Sequence, residues 1–236
     1  MPNSALELMP SFGLFFSADL HCYCRIDSYT AGPMFKVVQL VFSPAATWEK
    51  IAVEARGVVE TLLLSLLPIM LLATTLEAWS LIRFGERRDL GHVVRITEQV
   101  AFRYGLTQLA AGFAVIFIGT KFLASVASSF HLQATYQQCF TTVAYGFSPL
   151  FLGRALDAIP ALPTWISWAI GAVLSVAVLY HGVALVLKPD QTKGFGLYIL
   201  TSIFGVMLSA FAHFVSVSVL RDKILILSPV FRAIGL

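Results

Sequence analysis

The sequence predicts an all-α fold: a polytopic integral membrane bundle of about five transmembrane helices, preceded by an N-terminal amphipathic interfacial helix. Three observations carry this. Of 236 residues, 58% are apolar and only 12% charged, against about half and about a quarter in an ordinary soluble domain. The charges are absent from residues 122–153, 158–187 and 194–220, and 61–82 contains only Glu77. At roughly 20 residues per crossing, these runs and the segment near 105–127 make about five helices and leave no room for a second, soluble domain. The net charge of +3 is small and scattered, so no basic stripe marks a nucleic-acid partner.

Residues 1–33 differ in character from the remainder of the chain. They lack a positive n-region, Glu7 interrupts the early apolar stretch, and Ser11 to Ala18 is too short to cross a bilayer, so neither signal peptide nor anchor is expected. Met34 reads as a natural start, and 1–33 as a disordered or non-native upstream extension. The cluster His21-Cys22-Tyr23-Cys24 has neither zinc-knuckle spacing nor a second ligand pair, so a metal reading is set aside.

From Met34 to Glu60 the pattern is amphipathic. Ser43-Pro44 reads as a helix start, with a capping hydroxyl and proline at the first helical position. The helix then places Trp48, Ile51, Ala52 and Ala55 on one face. Two readings remain open: an interfacial helix with Trp48 at headgroup level, or a helix packed on the protein's own spans.

The residues 34–220 form the membrane domain, with spans expected at about 61–82, 105–127, 138–156, 164–187 and 196–220, each helical because a bilayer offers the backbone no other partners. Pro68 and Pro149 should kink the first and third spans. The loop from Arg83 to Tyr104 has apolar residues at helical spacing (Val93, Ile96, Val100, Tyr104), which predicts a second surface helix. Polar residues from Ser128 to Gln138 supply a turn, Pro160 and Pro163 separate spans three and four, and Lys188 to Gly194 separates four and five. The tail 221–236 is too short to cross and is expected at the interface. Lys and Arg number six on the N-terminal side and eight on the other over the whole chain, which decides no orientation; counted from Met34 onward they number five and eight, which favours a cytoplasmic first loop.

Ionisable residues in spans are functional candidates because burying them is costly. Glu77, Lys121, Arg154, Asp157, His181 and His213 make up the set. Lys121 and Arg154 lie within snorkelling reach of an interface, and Arg154 and Asp157, three apart, could neutralise one another. His181 and His213 could form a proton relay or a metal pair, but no third ligand is evident, which favours hydrogen-bonded helix contacts. Small-residue pairs, Gly171 with Ser175 and Gly205 with Ser209, let helix backbones approach, and His213 continues the second face. No nucleophile elbow, zinc-protease helix, phosphate-cradling loop or aspartate pair is present. No catalytic, cofactor or metal site is therefore expected.

Three stretches, taken in order, resemble the YIP (Ypt-interacting protein) domain family of five-span membrane proteins, particularly its short bacterial members. Phe42-Ser43-Pro44-Ala45-Ala46-Thr47-Trp48-Glu49-Lys50-Ile51 resembles the family's opening segment before span one and its proline, here Pro68. Ala144-Tyr145-Gly146-Phe147-Ser148-Pro149 with Ile159-Pro160 is similar to its tyrosine-to-proline element. Tyr180-His181-Gly182 leading to Lys188-Pro189 and Lys193-Gly194 is similar to its fourth-span end and short basic loop. The resemblance implies a non-enzymatic multi-pass protein of a cell membrane, the inner membrane in a bacterium, with a cytoplasmic N-terminus. Eukaryotic relatives meet Rab-type GTPases through a longer polar N-terminal region than this chain has. The expected function is that of an organiser or adaptor acting through lipid or helix–helix contacts, with the bilayer and a membrane-protein partner or homo-oligomer as its partners. The alternative is a small transporter or channel component, suggested by Pro68, Pro149, Glu77, His181 and His213. The positions singled out are Glu77, Tyr145, Pro149, His181, Gly205, Ser209 and His213.

Overall fold

A computed structural model describes residues 33–87, 93–159 and 162–221. The 1–32 segment with its His-Cys cluster, Pro160 and the tail beyond Arg221 lie outside the described residues. Among the described residues, four helices are long and apolar enough to cross a membrane: Val58–Phe84, Glu98–Ser129, Thr164–Leu187 and Lys193–Leu220.

Helices α1 (Pro33–Phe42) and α2 (Pro44–Glu54) lead the chain. Pro44 takes the first helical position as expected, but Ser43 does not cap: its hydroxyl turns back to donate to Gln39 O at 3.4 Å. Helix α2 ends at Ala55, whose φ of 41° is left-handed. That conformation is costly for a residue with a Cβ. The Gln137 side chain steadies it by donating to the carbonyls of Ala55 at 2.8 Å and Arg56 at 2.9 Å.

The first long helix joins α3 (Val58–Thr61), a π turn at Leu62–Leu66 and α4 (Leu67–Phe84). Pro68 cannot donate to Leu64, and the wide turn just upstream is the distortion that this missing bond permits. The loop after α4 corrects one expectation. Instead of a surface helix, Glu86–Arg87 (β1) pairs antiparallel with Val93–Val94 (β2), and Val100 and Tyr104 belong to the long helix α5 (Glu98–Ser129). Helical spacing in that loop registered the buried face of α5 before its apolar run began. Arg221 Nε donates to Glu86 Oε1 at 3.0 Å and ties the last helix to this hairpin.

The third expected span is a broken rod, α6 (Tyr136–Gly146) and α7 (Ser148–Arg154), continued by a 3-10 turn over Ala155–Ala158. A reciprocal capping box starts it: Gln138 N–H donates to Thr135 Oγ1 at 3.3 Å, and Thr135 N–H to Gln138 Oε1 at 2.9 Å. The break falls where Pro149 removes a donor, and the Ser148 hydroxyl donates to Tyr145 O at 2.6 Å. Residues 139–151 are all buried, so this rod is the centre that other helices surround.

Helix α8 (Thr164–Gly182), extended by a π turn at Val183–Leu187, packs along α7. Gly153 and Gly171 set that contact: a Cβ on Gly153 would stand 2.7 Å from Gly171 Cα. Helix α9 (Gln191–Leu220) runs along α5, with Phe122 stacked on Phe204 at a centroid distance of 3.7 Å. The Phe147 ring, at the break in the central rod, fills the space a side chain at Gly205 would need.

Candidate functional site

Polar side chains from five elements meet inside the bundle around Arg154. Glu77 on α4 is 3% exposed. Its carboxylate accepts hydrogen bonds from the Tyr104 hydroxyl and, at 2.8 Å, from Gln108 Nε2. Tyr104 and Gln108 lie one turn apart on α5, so one helical face supplies both donors. Arg154, at the end of α7, is 7% exposed and acts electrostatically on both Glu77 and Tyr104. Asp157 follows in the 3-10 turn and faces Arg154, Glu77 and the Ser167 hydroxyl of α8. Ser80 Oγ donates to Ala158 O at 3.0 Å and holds that turn against α4. His213 on α9 faces Arg154 and is 1% exposed. Its ring lies 4.6 Å from Trp165 and 6.4 Å from Trp168.

Charge inside an apolar bundle demands partners. Glu77 has them. By contrast, Arg154 Nε and Nη2, both Asp157 carboxyl oxygens, Ser167 Oγ, Trp168 Nε1 and both His213 ring nitrogens have no hydrogen-bond partner among the described residues. This is a centre with hydrogen-bonding capacity to spare. No group of three His, Cys, Asp or Glu side chains that could hold a metal ion exists among the described residues.

The positions singled out from sequence separate into three places. Glu77 and His213 share the Arg154 centre. His181 does not join them: it lies sixteen residues beyond Trp165 on the helix through Leu187, about 24 Å along the axis, and its neighbour is the Tyr180 ring at 5.4 Å. His181 and His213 therefore do not meet, and His213 lies instead within electrostatic reach of Arg154. Arg154 corrects a second reading, because it turns inward to Glu77 instead of snorkelling outward, and no hydrogen bond joins it to Asp157. Tyr145 and Pro149 form a second place, at the central break. The Tyr145 hydroxyl shares a 2.8 Å hydrogen bond with Ser65 of the π turn, so the two helix irregularities meet. Gly205 and Ser209 belong to a third, the packed face of α9, where Ser209 Oγ donates to Val206 O at 2.9 Å. Lys121 is exposed on α5.

Sequence reasoning missed Tyr104 and Gln108. Their one signal was spacing: a phenol and an amide four apart, with the small residues Ala101 and Gly112 on the same buried face.

At the opposite end, Trp48 decides between the two readings of α2. The ring is fully buried, lies edge-on to Tyr145 at 6.2 Å, covers Gly182, and donates from Nε1 to Val178 O at 2.9 Å. Helix α2 therefore packs on the protein's own helices, which enclose the Trp48 ring. Around it Lys36 pairs with Glu54, Arg56 Nε reaches Glu54 Oε2 at 3.0 Å, and Arg56 extends to Glu60 at 3.6 Å. Partial burial alone would raise the Glu54 carboxyl, but the hydrogen-bonded Lys36 ammonium and the Arg56 guanidinium together hold it below its usual range.

Compared with known families, residues 38–214 match the model described as the Yip1 domain. No curated protein and no solved structure matches the chain.

Proposed function

The chain belongs to the Yip1 domain family, and from that premise we propose a non-enzymatic organiser or adaptor that acts within the membrane through lipid and helix–helix contacts. The observation that carries this is the outward face of α9. Ile199, Ile203, Met207, Phe211 and Phe214 recur at three- and four-residue intervals and are 37–68% exposed. Such a stripe of large apolar side chains fits lipid or a partner helix. Photo-crosslinkers at Met207 and Phe211 in native membranes test it. Recurrent adducts with a membrane protein or a second copy are expected; recovery of the protein alone from mild detergent, without partner or oligomer, counts against it.

The proposed topology has five crossings, the third being α6–α7. Gln137 at its start holds Ala55 and Arg56, just before the first long helix, while Ala158 at its far end meets Ser80 near that helix's end. The nineteen residues from Tyr136 to Arg154 cover about 28 Å, close to a hydrocarbon core. Helices α1 and α2 would then lie at the membrane surface docked on the bundle. A cell membrane, the inner one in a bacterium, is the proposed location.

The second reading, a transporter or channel component, is favoured by the open hydrogen-bonding groups around Arg154. Reconstituted vesicles that show no flux of ions or small solutes, with His213→Ala neutral for growth, would remove it.

A further inference from the structure

The Arg154 centre holds two carboxyl groups and one guanidinium. Fully ionised, Glu77, Asp157 and Arg154 carry one net negative charge, which is costly among apolar helices. The groups facing Asp157 are Glu77 from α4, Tyr104 from α5, Arg154 from α7 and the Ser167 hydroxyl from α8. His213 from α9 joins them through Arg154. Among the described residues, none of these groups supplies a second cation. The missing charge is one proton, and the hydrogen-bond geometry says where it sits. Glu77 accepts two hydrogen bonds in addition to facing Arg154, which is the setting of an anion. Both oxygens of Asp157 accept none. A proton on the His213 imidazole would set a second cation against Arg154.

We propose that this centre is a proton-binding site in which Asp157 carries one proton while Glu77 stays ionised against Arg154. The site lies near one end of the bundle. Glu77 lies seven residues before the end of α4, Tyr104 six after the start of α5, Ser167 three after the start of α8 and His213 seven before the end of α9. All four depths are within about 10 Å of the same helix ends. The nearest water is therefore that on the side opposite α1 and α2. This holds whether or not the protein moves a solute.

Infrared spectroscopy of the full chain in lipid nanodiscs tests the assignment, using protein labelled with carbon-13 in aspartate or, separately, in glutamate. At neutral pH the wild type should show a protonated-carboxyl stretch that shifts with the aspartate label but not with the glutamate label, fades as pH is raised, and is lost in Asp157→Asn. If that variant does not fold, the isotope shift in the wild type decides alone. Absence of a protonated-carboxyl band at neutral pH, a band that follows the glutamate label, or a band that survives in folded Asp157→Asn would each overturn the proposal.

Discussion

Trp48 shows how one side chain can attach a segment to a bundle. Its ring is fully enclosed and its indole N–H finds the Val178 carbonyl at 2.9 Å, next to the turn where α8 widens. Trp48→Phe keeps most of the packing and loses the hydrogen bond, which should cost about 1 kcal/mol. Trp48→Ala also leaves a cavity and should cost about 3–5 kcal/mol. Thermal unfolding in mild detergent orders the two. Glu54 makes a pH-dependent contribution nearby. Because its carboxyl is held below the ordinary 4.5, its pairing stabilises the fold fully above that value and is lost as pH falls through the lowered one. Protease clipping of α1 and α2 should rise as pH drops below about 4, and Lys36→Gln should move that onset toward higher pH. At Gly205 any side chain meets the Phe147 ring, so Gly205→Leu should destabilise by about 1–3 kcal/mol or more, read by the same melts. At this scale Glu77 was legible, since an acid in an apolar run declares itself. Its donors and the inward turn of Arg154 were not, because spacing along one helix says nothing about which neighbour it faces.

Elements were easier to read than residues where they are long. The first, second, fourth and fifth expected spans all correspond to helices; the first, second and fifth run beyond their expected bounds, and the fourth coincides with them. The surface helix expected before Tyr104 failed because the periodic residues straddle Thr97, the point where α5 begins. The central rod was legible as an apolar stretch, and Pro149 announced its break. What sequence could not convey is that residues 139–151 are buried on every side, since an apolar residue facing lipid and one facing protein look alike. The rod's start rests on the Thr135–Gln138 capping box, and Thr135→Ala should cost about 1 kcal/mol. Hydrogen exchange should locate that loss in the first turn of α6.

The whole molecule follows from one economy of charge. With 12% charged residues, ionisable groups inside the spans are few, and Glu77 and His213 among them are gathered around Arg154. Family membership was legible from short stretches in order, and the Yip1 domain match over 38–214 covers the same helices. The proposed lateral mode of action rests on the outward stripe of α9, and the proposed fifth crossing rests on the central rod. The measurement that tests the account most directly concerns that rod. In a chain without its own thiols (Cys22→Ser, Cys24→Ser, Cys139→Ala), single cysteines are placed before the rod at His131 and after it at Pro163, both exposed. An impermeant thiol reagent should reach them from opposite faces of sealed membranes. Labelling of both from the same face would contradict the account.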